Sequence, residues 1–446
     1  MDIFGFVPQF GGLVWTLVAF VAALSVIVAV HEYGHYIVGR WSGIHAEVFS
    51  LGFGPVLLSR ADRHGTRWQI AALPFGGYVR FLGDGDAASA RGDDKVLTGL
   101  SPEQRRATMH GAPLWARAAT VAAGPMFNFI LSVVIFAGLF LSQGVATEDS
   151  VVGEPKALPG VAQPLLPGDR VLALAGQPTP TLAALLDVAG TLPPAPAADY
   201  RLLRQGAEID LQGPFPLPPV ADAVQPQSAA MAAGLQVGDV VLAVDGVPVH
   251  AFAQLREIVG ASDGRSLTLR LWRAGDEVEV TLTPRRMDLP LPDGGFETRW
   301  LIGLSGGLAF VPELRTPGPV EAVGLALTQV GDLMRTSLSG LWHMVTGAIS
   351  SCNLQGPIGI AETSGAAASQ GLVSFIWFIA MLSTAVGLLN LFPVPVLDGG
   401  HLVFHVWEAT TGKPPSDRAL RILMSAGLAI LLTLMVFALT NDLFCP

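Results

Sequence analysis

The sequence predicts an α-helical polytopic membrane protein with four transmembrane helices, a membrane re-entrant β-hairpin and two inserted α+β domains. First, the 446 residues are 51% hydrophobic and only 14% charged, with a mean hydropathy of +0.50, which is too apolar for an ordinary soluble domain. Second, four apolar runs approach the ~20 residues that a membrane-spanning helix needs. Third, a short motif occurs twice within the longest stretch between these runs.

Each of the four apolar runs predicts one transmembrane helix. The first run could also be a signal peptide, but Asp2 precedes it without any Lys or Arg, and the run exceeds the usual apolar core of such peptides. We therefore interpret it as a retained span. The runs cover residues 12–30, 118–141, 372–392 and 422–439.

The distribution of Lys and Arg predicts the orientation in the membrane. Ten of the 26 basic residues lie in residues 40–117 and three in the short stretch 413–421, whereas thirteen are spread over the much longer stretch 142–371. Short loops rich in Lys and Arg stay in the cytoplasm. Both termini and the long inserted region are therefore expected outside. The net charge of -10 argues against nucleic acid as a partner.

Residues 43–83 predict a β-hairpin. The segments AEVFSLGFGPVLLSR and RWQIAALPFGGYVRFLG are rich in strand-forming residues and are interrupted by Gly and Pro, which is typical of hairpin strands. The polar stretch 84–112 that follows is expected to be an irregular, mobile cytoplasmic loop.

The inserted region contains an internal repeat. PGDRVLALAGQP begins at residue 167 and VGDVVLAVDGVP at residue 237, and seven of the twelve positions are identical. A Gly-Asp turn, a short apolar strand and a Gly-x-Pro turn resemble a PDZ domain. In the second copy, AFAQLREIVG predicts the helix beside a peptide groove, and RSLTLRLWRAGDEVEVTLTP predicts a following hairpin. The alternative is a pair of small β-domains that bind no ligand.

The first apolar run ends in the sequence HEYGH at residues 31–35. On a helix, His31 and His35 lie four residues apart and therefore on one face, where neutral imidazoles bind zinc. Glu32 is placed to take a proton from a water on that metal. Ionisable groups at membrane depth are costly, so a chance occurrence of the motif at this place is disfavoured.

The segment NLFPVPVLDGGH at the end of the third run offers a third metal ligand. Its two prolines break the helix, which is tolerated at membrane depth only beside a cavity or against protein. Asp398 is the candidate ligand. His401 and His405 are also four residues apart, and we expect a satisfied polar contact or a role behind the ligands for each.

The stretch 323–345 carries apolar residues at helical spacing, interrupted by Asp332 and Arg335. As a fifth span it would place Asp398 on the membrane face opposite to His35, and no common site could form. We therefore predict an amphipathic helix that lies in the membrane interface.

Together these segments resemble the site-two protease family of intramembrane zinc metalloproteases, and in particular its Gram-negative inner-membrane branch. HEYGH, AAGPMFNF, PFGGYV, GPIGIA and NLFPVPVLDGG carry the resemblance, which spans essentially the whole chain. It implies zinc held by His31, His35 and Asp398, with Glu32 as general base. It also implies that Asn390 positions the substrate or the developing oxyanion, and that the hairpin re-enters the membrane.

The resemblance implies regulated proteolysis of single-span proteins already trimmed on the outside, such as an anti-sigma factor, and of leftover signal peptides. A helical substrate hides its carbonyl groups, so cleavage needs an extended segment, which addition to the edge of the hairpin can hold. Gly76 and Gly77 would allow the close backbone approach. The rival interpretations are a PDZ receptor with a structural zinc, which would not need Glu32, and a metal transporter, which should carry polar residues along several spans.

The predicted domain division follows from these elements. The segments are the first span with HEYGH (1–42), the hairpin and cytoplasmic loop (43–112), the second span (113–143), two PDZ-like domains (144–218 and 219–290), a connector with the amphipathic helix (291–370) and the last two spans (371–446).

Two cysteines, Cys352 and Cys445, both fall on the predicted outer side. In an oxidising compartment they could form a disulfide. Two free thiols remain the alternative, because a disulfide requires Cα atoms within ~7 Å.

Overall fold

The computed structural model describes residues 6–84, 99–160, 164–291 and 295–445. The chain divides into two compact units, which we describe separately. The helical unit comprises Met1–Leu139, Val320–Leu341 and Leu354–Cys445, and the β unit comprises Phe140–Pro319 and Trp342–Asn353.

Eleven α-helices are formed by the described residues. They are α1 (Phe6–Trp41), α2 (Pro102–Arg106), α3 (Leu114–Gln143), α4 (Leu182–Thr191), α5 (Ala229–Ala232), α6 (Phe252–Gly260), α7 (Pro319–Val345), α8 (Pro357–Ser369), α9 (Leu372–Asn390), α10 (Asp398–Thr411) and α11 (Asp417–Phe444). Four of them are long and apolar enough to cross a membrane: α1 from Gly12 onward, α3, α9 and α11. These four correspond to the four predicted spans, and α7 is not among them.

The described residues also form eighteen β-strands. They are β1 (Ala46–Ala61), β2 (Arg67–Phe81), β3 (Val145–Ala146), β4 (Val152–Pro155), β5 (Arg170–Leu174), β6 (Gln177–Pro178), β7 (Ala197–Arg204), β8 (Ala207–Pro214), β9 (Ala223–Val224), β10 (Val240–Val244), β11 (Val247–Pro248), β12 (Leu267–Arg273), β13 (Asp276–Leu282), β14 (Arg285–Pro290), β15 (Phe296–Leu301), β16 (Leu304–Ser305), β17 (Phe310–Pro312) and β18 (Leu314–Arg315).

In the helical unit, β1 and β2 form an antiparallel hairpin that bends back on itself. Residues 48–51 of β1 pair with residues 67–70 on one side and with residues 77–80 on the other, while residues 56–61 pair with residues 67–71. The two long strands therefore make a sheet four strands wide. Its outer edges are residues 56–61 and residues 77–80, and β2 packs against α1.

The stretch 99–112 is more ordered than the sequence suggested. It contains α2, whose first turn is closed by a reciprocal capping box between Ser101 and Gln104. Met109 and Ala112 are buried in an apolar cluster that also holds residues of α1 and the hairpin. Apart from α2 the stretch forms turns and irregular backbone, as expected, and its apolar residues pack it against the hairpin; residues 85–98 lie outside the described residues.

In the β unit, the sequence repeat is a repeat of structure. β5, β6, α4 and β7 recur as β10, β11, α6 and β12, each beginning 70 residues later. The two four-stranded sheets have matching strand orders, β6-β5-β7-β8 and β11-β10-β12-β13. The predicted helix and hairpin of the second copy are α6 and the β12–β13 pair.

The shared Gly-Asp turn has the same ion pair in both copies. The carboxylate of Asp169 accepts two hydrogen bonds from the Arg204 guanidinium, and Asp239 accepts two from Arg273. Each carboxylate also accepts a bond from a backbone N–H three residues earlier. These bonds, above all those from the Arg204 side chain, outweigh the effect of burial and lower the pKa of Asp169.

The chain that follows the second copy pairs with strands from earlier in the β unit. β16 pairs with β9, β17 with β4 and β18 with β3. Leu308 and Phe310 are buried in the core of the first copy. The segment 304–315 therefore links both copies and ends in its pairing with β3.

Neither cysteine is a free thiol, since Cys352 and Cys445 are disulfide-bonded. Of the two alternatives that the sequence left open, the structure has the disulfide.

Candidate metal centre

Helix α1 presents His31 and His35 on one face, as their spacing predicts. The two Nε2 atoms are 3.2 Å apart, and both side chains are largely buried, with 12% and 13% of their surface exposed. The rings meet edge to face with centroids 4.8 Å apart. Both nitrogens therefore point at the same small volume.

The break between α9 and α10 brings a carboxylate to that volume. Asp398 is the first residue of α10, and its Oδ2 lies 3.2 Å from Nε2 of His31 and 3.5 Å from Nε2 of His35. A tetrahedral Zn²⁺ with bonds of ~2.0–2.1 Å holds its ligand atoms about 3.3–3.4 Å apart. The three edges of this triangle therefore fit a zinc ion. Among the described residues these three form the one group of His, Cys, Asp or Glu side chains close enough to share a metal.

Helix α3 orients both imidazoles from behind. The Nδ1 of His35 donates to the backbone carbonyl of Thr120 at 2.8 Å, which leaves its Nε2 lone pair free for a metal. The side-chain amide of Asn128 lies 3.1 Å from Nδ1 of His31. Its Oδ1 has no partner elsewhere in the described chain. The amide orientation that turns Oδ1 to the ring lets it accept from Nδ1–H of His31, which leaves Nε2 free for a metal.

The same helix approaches the histidines closely at Gly124. A Cβ atom at this position would overlap Nε2 and Cε1 of His35 and press on Cε1 of His31. Only glycine therefore leaves both rings where the triangle needs them.

Glu32 lies between the histidines and the hairpin. Its charge interacts with His31, His35 and Asp398, and the backbone N–H of Val79 is within hydrogen-bonding reach of its carboxylate. Gly77 contacts it directly, because a Cβ there would meet Cγ of Glu32 at 3.0 Å. The carboxylate therefore sits between the ligand triangle and the edge strand 77–80.

The other predicted site residues are placed as follows. Gly76 has φ of 127°, which favours glycine, and packs against the ring of Phe53. Asn390 ends α9, and its amide donates to the carbonyl of Val386 at 3.0 Å, back into its own helix. His401 stacks edge-on near Phe404. His405 has a buried Nε2 without a hydrogen-bond partner among the described residues, so this atom does not make the expected polar contact. The alternative, a role behind the ligands, stays a prediction.

Sequence reasoning did not assign Thr120 or Asn128 a role in the site. A backbone carbonyl acceptor has no sequence signature, so Thr120 could not have been found. Asn128 could have been suspected, because an amide within the apolar span AAGPMFNF requires a partner.

Helices long and apolar enough to cross a membrane, an HExxH helix and a carboxylate from a broken helix beside both histidines indicate a membrane-embedded metallopeptidase. Comparison with known proteins agrees. Peptidase family M50 matches residues 19–434. "Putative zinc metalloprotease Atu1380" of Agrobacterium fabrum is 36% identical over 438 residues, covering 97% of each chain. "Regulator of sigma-E protease RseP" of Salmonella typhimurium is 35% identical over 461 residues, covering 96% of this chain and 98% of that protein.

The chain therefore belongs to peptidase family M50, the site-two proteases. It is a metalloendopeptidase and its cofactor is zinc.

Proposed function

We propose that this protein is an intramembrane endopeptidase that cleaves the membrane segments of single-span proteins already trimmed on the outer side, of the anti-sigma factor type. The relative named as a regulator of sigma-E protease supports this substrate class. The observation that carries the proposal is the ligand triangle with Glu32 beside it, built on helices long enough to cross a membrane.

In this proposal His31, His35 and Asp398 hold the metal and Glu32 is the general base. Zinc bound there would polarise the scissile carbonyl and lower the pKa of a water to about 7. The Glu32 carboxylate accepts the proton of the attacking water and delivers it to the amide nitrogen that leaves. Thr120 and Asn128 keep both Nδ1 atoms engaged, so the rings cannot turn during the reaction. Asn390 would position the substrate once its side-chain amide no longer donates to the carbonyl of Val386.

The edge strand 77–80 would hold the substrate. It lies beside Glu32, and it pairs on one side with residues 48–51 and with no second strand of the described chain. An extended peptide added to this edge would bring its carbonyl groups past the carboxylate. Gly76 and Gly77 keep side chains out of that approach.

The opposite edge of the sheet, residues 56–61, supports insertion of the hairpin into the membrane. Val56, Leu57 and Leu58 lie in the outer edge strand and are 49%, 64% and 67% exposed. An exposed apolar sheet edge is a liability in water. In this proposal it lies in lipid, as a re-entrant hairpin.

The proposed location is the bacterial inner membrane, with both termini and the β unit in the periplasm and the metal centre near the cytoplasmic side. Trp15 and Trp41 on α1 are 50% and 73% exposed. They lie about 39 Å apart along the helix, close to the thickness of a bilayer with its interfaces. Arg40 beside Trp41 agrees with a cytoplasmic end. The exposed apolar side chains of α7, such as Val320 and Leu327, fit an interfacial helix.

We further propose that the two repeated domains are PDZ domains that exclude substrates with bulky outer parts. The matching strand orders and the helices α4 and α6 support the domain type. Neither sequence copy shows the Gly-Leu-Gly-Phe loop that binds a terminal carboxylate, which favours exclusion over docking.

Incubating the purified protein with a tagged, trimmed single-span substrate tests this function. Cleavage that stops with a chelator and returns with zinc is expected. Zinc binding without cleavage of such a substrate would favour the non-catalytic receptor.

A further inference from the structure

One face of helix α3 carries four residues that contact the two histidines or helix α10. Arg117, Thr120, Gly124 and Asn128 are spaced by three, four and four residues, which puts them on one side of a helix. Thr120 and Asn128 hold the two histidines, and Gly124 leaves room for them. Arg117 contacts α10 instead, the helix that begins with Asp398.

The contact of Arg117 is a two-pronged ion pair. Its Nη1 donates to Oε2 of Glu408 at 3.0 Å, and its Nη2 donates to Oε1 at 2.6 Å. The two side chains are only 16% and 18% exposed. A paired guanidinium and carboxylate of this geometry fixes orientation as well as distance, so the pair sets how α10 is rotated against α3.

Helix α10 is buried at Gly399 and Gly400, and Leu402 packs against the apolar cluster of α1 and the hairpin, but its other face is open. Val403, Val406 and Trp407 are 49%, 63% and 55% exposed, so this face packs against no described part of the chain. The loop 391–397 before α10 contains two prolines and does not continue α9. Glu408 lies ten residues beyond Asp398, about 15 Å along the helix. If α10 turned about its axis by one residue position, the direction of the Asp398 side chain would change by about 100°.

We propose that Arg117 and Glu408 are positioning residues that hold Asp398 in register with the two histidines. Helix α3 then aligns all three ligands: His31 through Asn128, His35 through Thr120, and Asp398 through the ion pair. This inference rests on the ligand set of the proposed function.

The test measures zinc affinity of the purified full-length protein by competition with a chromophoric chelator. Glu408→Gln and Arg117→Gln should each weaken zinc binding about 10-fold, the low end for groups behind metal ligands. The double variant should lose no more than either single variant, because both remove the same interaction. Phe136→Leu is the matched control. Phe136 is buried on α3 against Trp377, so this variant weakens the helix elsewhere and should keep zinc affinity within about 2-fold.

Folded Glu408→Gln protein with zinc affinity within about 2-fold of the parent would overturn the proposal, and so would losses that add in the double variant. If the Gln variants do not fold, Arg117→Lys decides. Lysine keeps the positive charge but cannot donate two parallel hydrogen bonds to Glu408. Weaker zinc binding therefore supports the proposal, and unchanged zinc binding overturns it. Asp398→Ala that retains zinc would instead refute the ligand set, so the two failures are distinguishable.

Discussion

Gly124→Ala should remove zinc from a protein that still folds. The added Cβ would overlap the His35 ring and press on His31. The rings would have to retreat by about 1 Å to regain van der Waals distance. Metal–ligand distances tolerate only about 0.2 Å. We therefore expect zinc affinity to fall at least 100-fold, beyond the usual effect of groups behind the ligands.

The fold should survive this change, because alanine is favoured over glycine in a helix by about 1 kcal/mol. Gly138→Ala is the matched control. It lies on the same helix, and nothing is within 4 Å of the added Cβ, so it should keep zinc and activity. Zinc content by atomic absorption and thermal unfolding would be measured on both variants. Gly124→Ala protein that binds zinc like Gly138→Ala would show that the added Cβ does not displace the two rings.

Three further outcomes are expected. Asp398→Ala should lose zinc while His401→Ala and His405→Ala keep it; metal analysis that shows loss with His405→Ala alone would move the ligand assignment. Residues 148–312 can be replaced by a short linker between Thr147 and Glu313, because the backbones of these two residues are already hydrogen-bonded. This variant should cleave untrimmed substrate. Slower cleavage of trimmed substrate would indicate that the two domains dock the substrate instead. Burial and the nearby Arg117 charge lower the pKa of His405 to about 4 in the folded protein. As the pH drops from about 6.5 to 4, the His405 ring is therefore protonated in the unfolded chain before it is protonated in the folded one, and the free energy of unfolding should fall. His405→Leu should lose less stability over this pH range than the parent protein. If thermal unfolding shows the same loss in the variant and the parent, His405 does not cause it.

The sequence predicted the parts of this protein that depend on local pattern. HEYGH, the proline break before Asp398, the four spans and the repeat at 70 residues all have a period or a spacing that can be read directly. It did not predict how the hairpin folds back into four strands, because the double pairing of residues 48–51 is a matter of tertiary register. The ion pair of Arg117 with Glu408 spans 291 residues, and two charged residues among many carry no signal of such a pairing.

Part of the site depends on atoms that no side-chain pattern reveals. The Thr120 carbonyl orients His35, and the absence of a side chain at Gly124 makes the room for both rings. Both are backbone properties of α3. The sequence was therefore sufficient to propose His31, His35 and Asp398 as ligands, while the contacts that α3 makes with the two histidines could be identified only from the structure.

Glu32→Gln tests most directly whether the protein is a metallopeptidase with Glu32 as its general base. Glutamine keeps the shape of the side chain and removes the base, and no proposed metal ligand changes. Zinc content and cleavage of a trimmed single-span substrate would be measured on the same preparation. We expect zinc at the parent level and no detectable cleavage. Cleavage at the parent rate by zinc-loaded Glu32→Gln protein would contradict this role of Glu32.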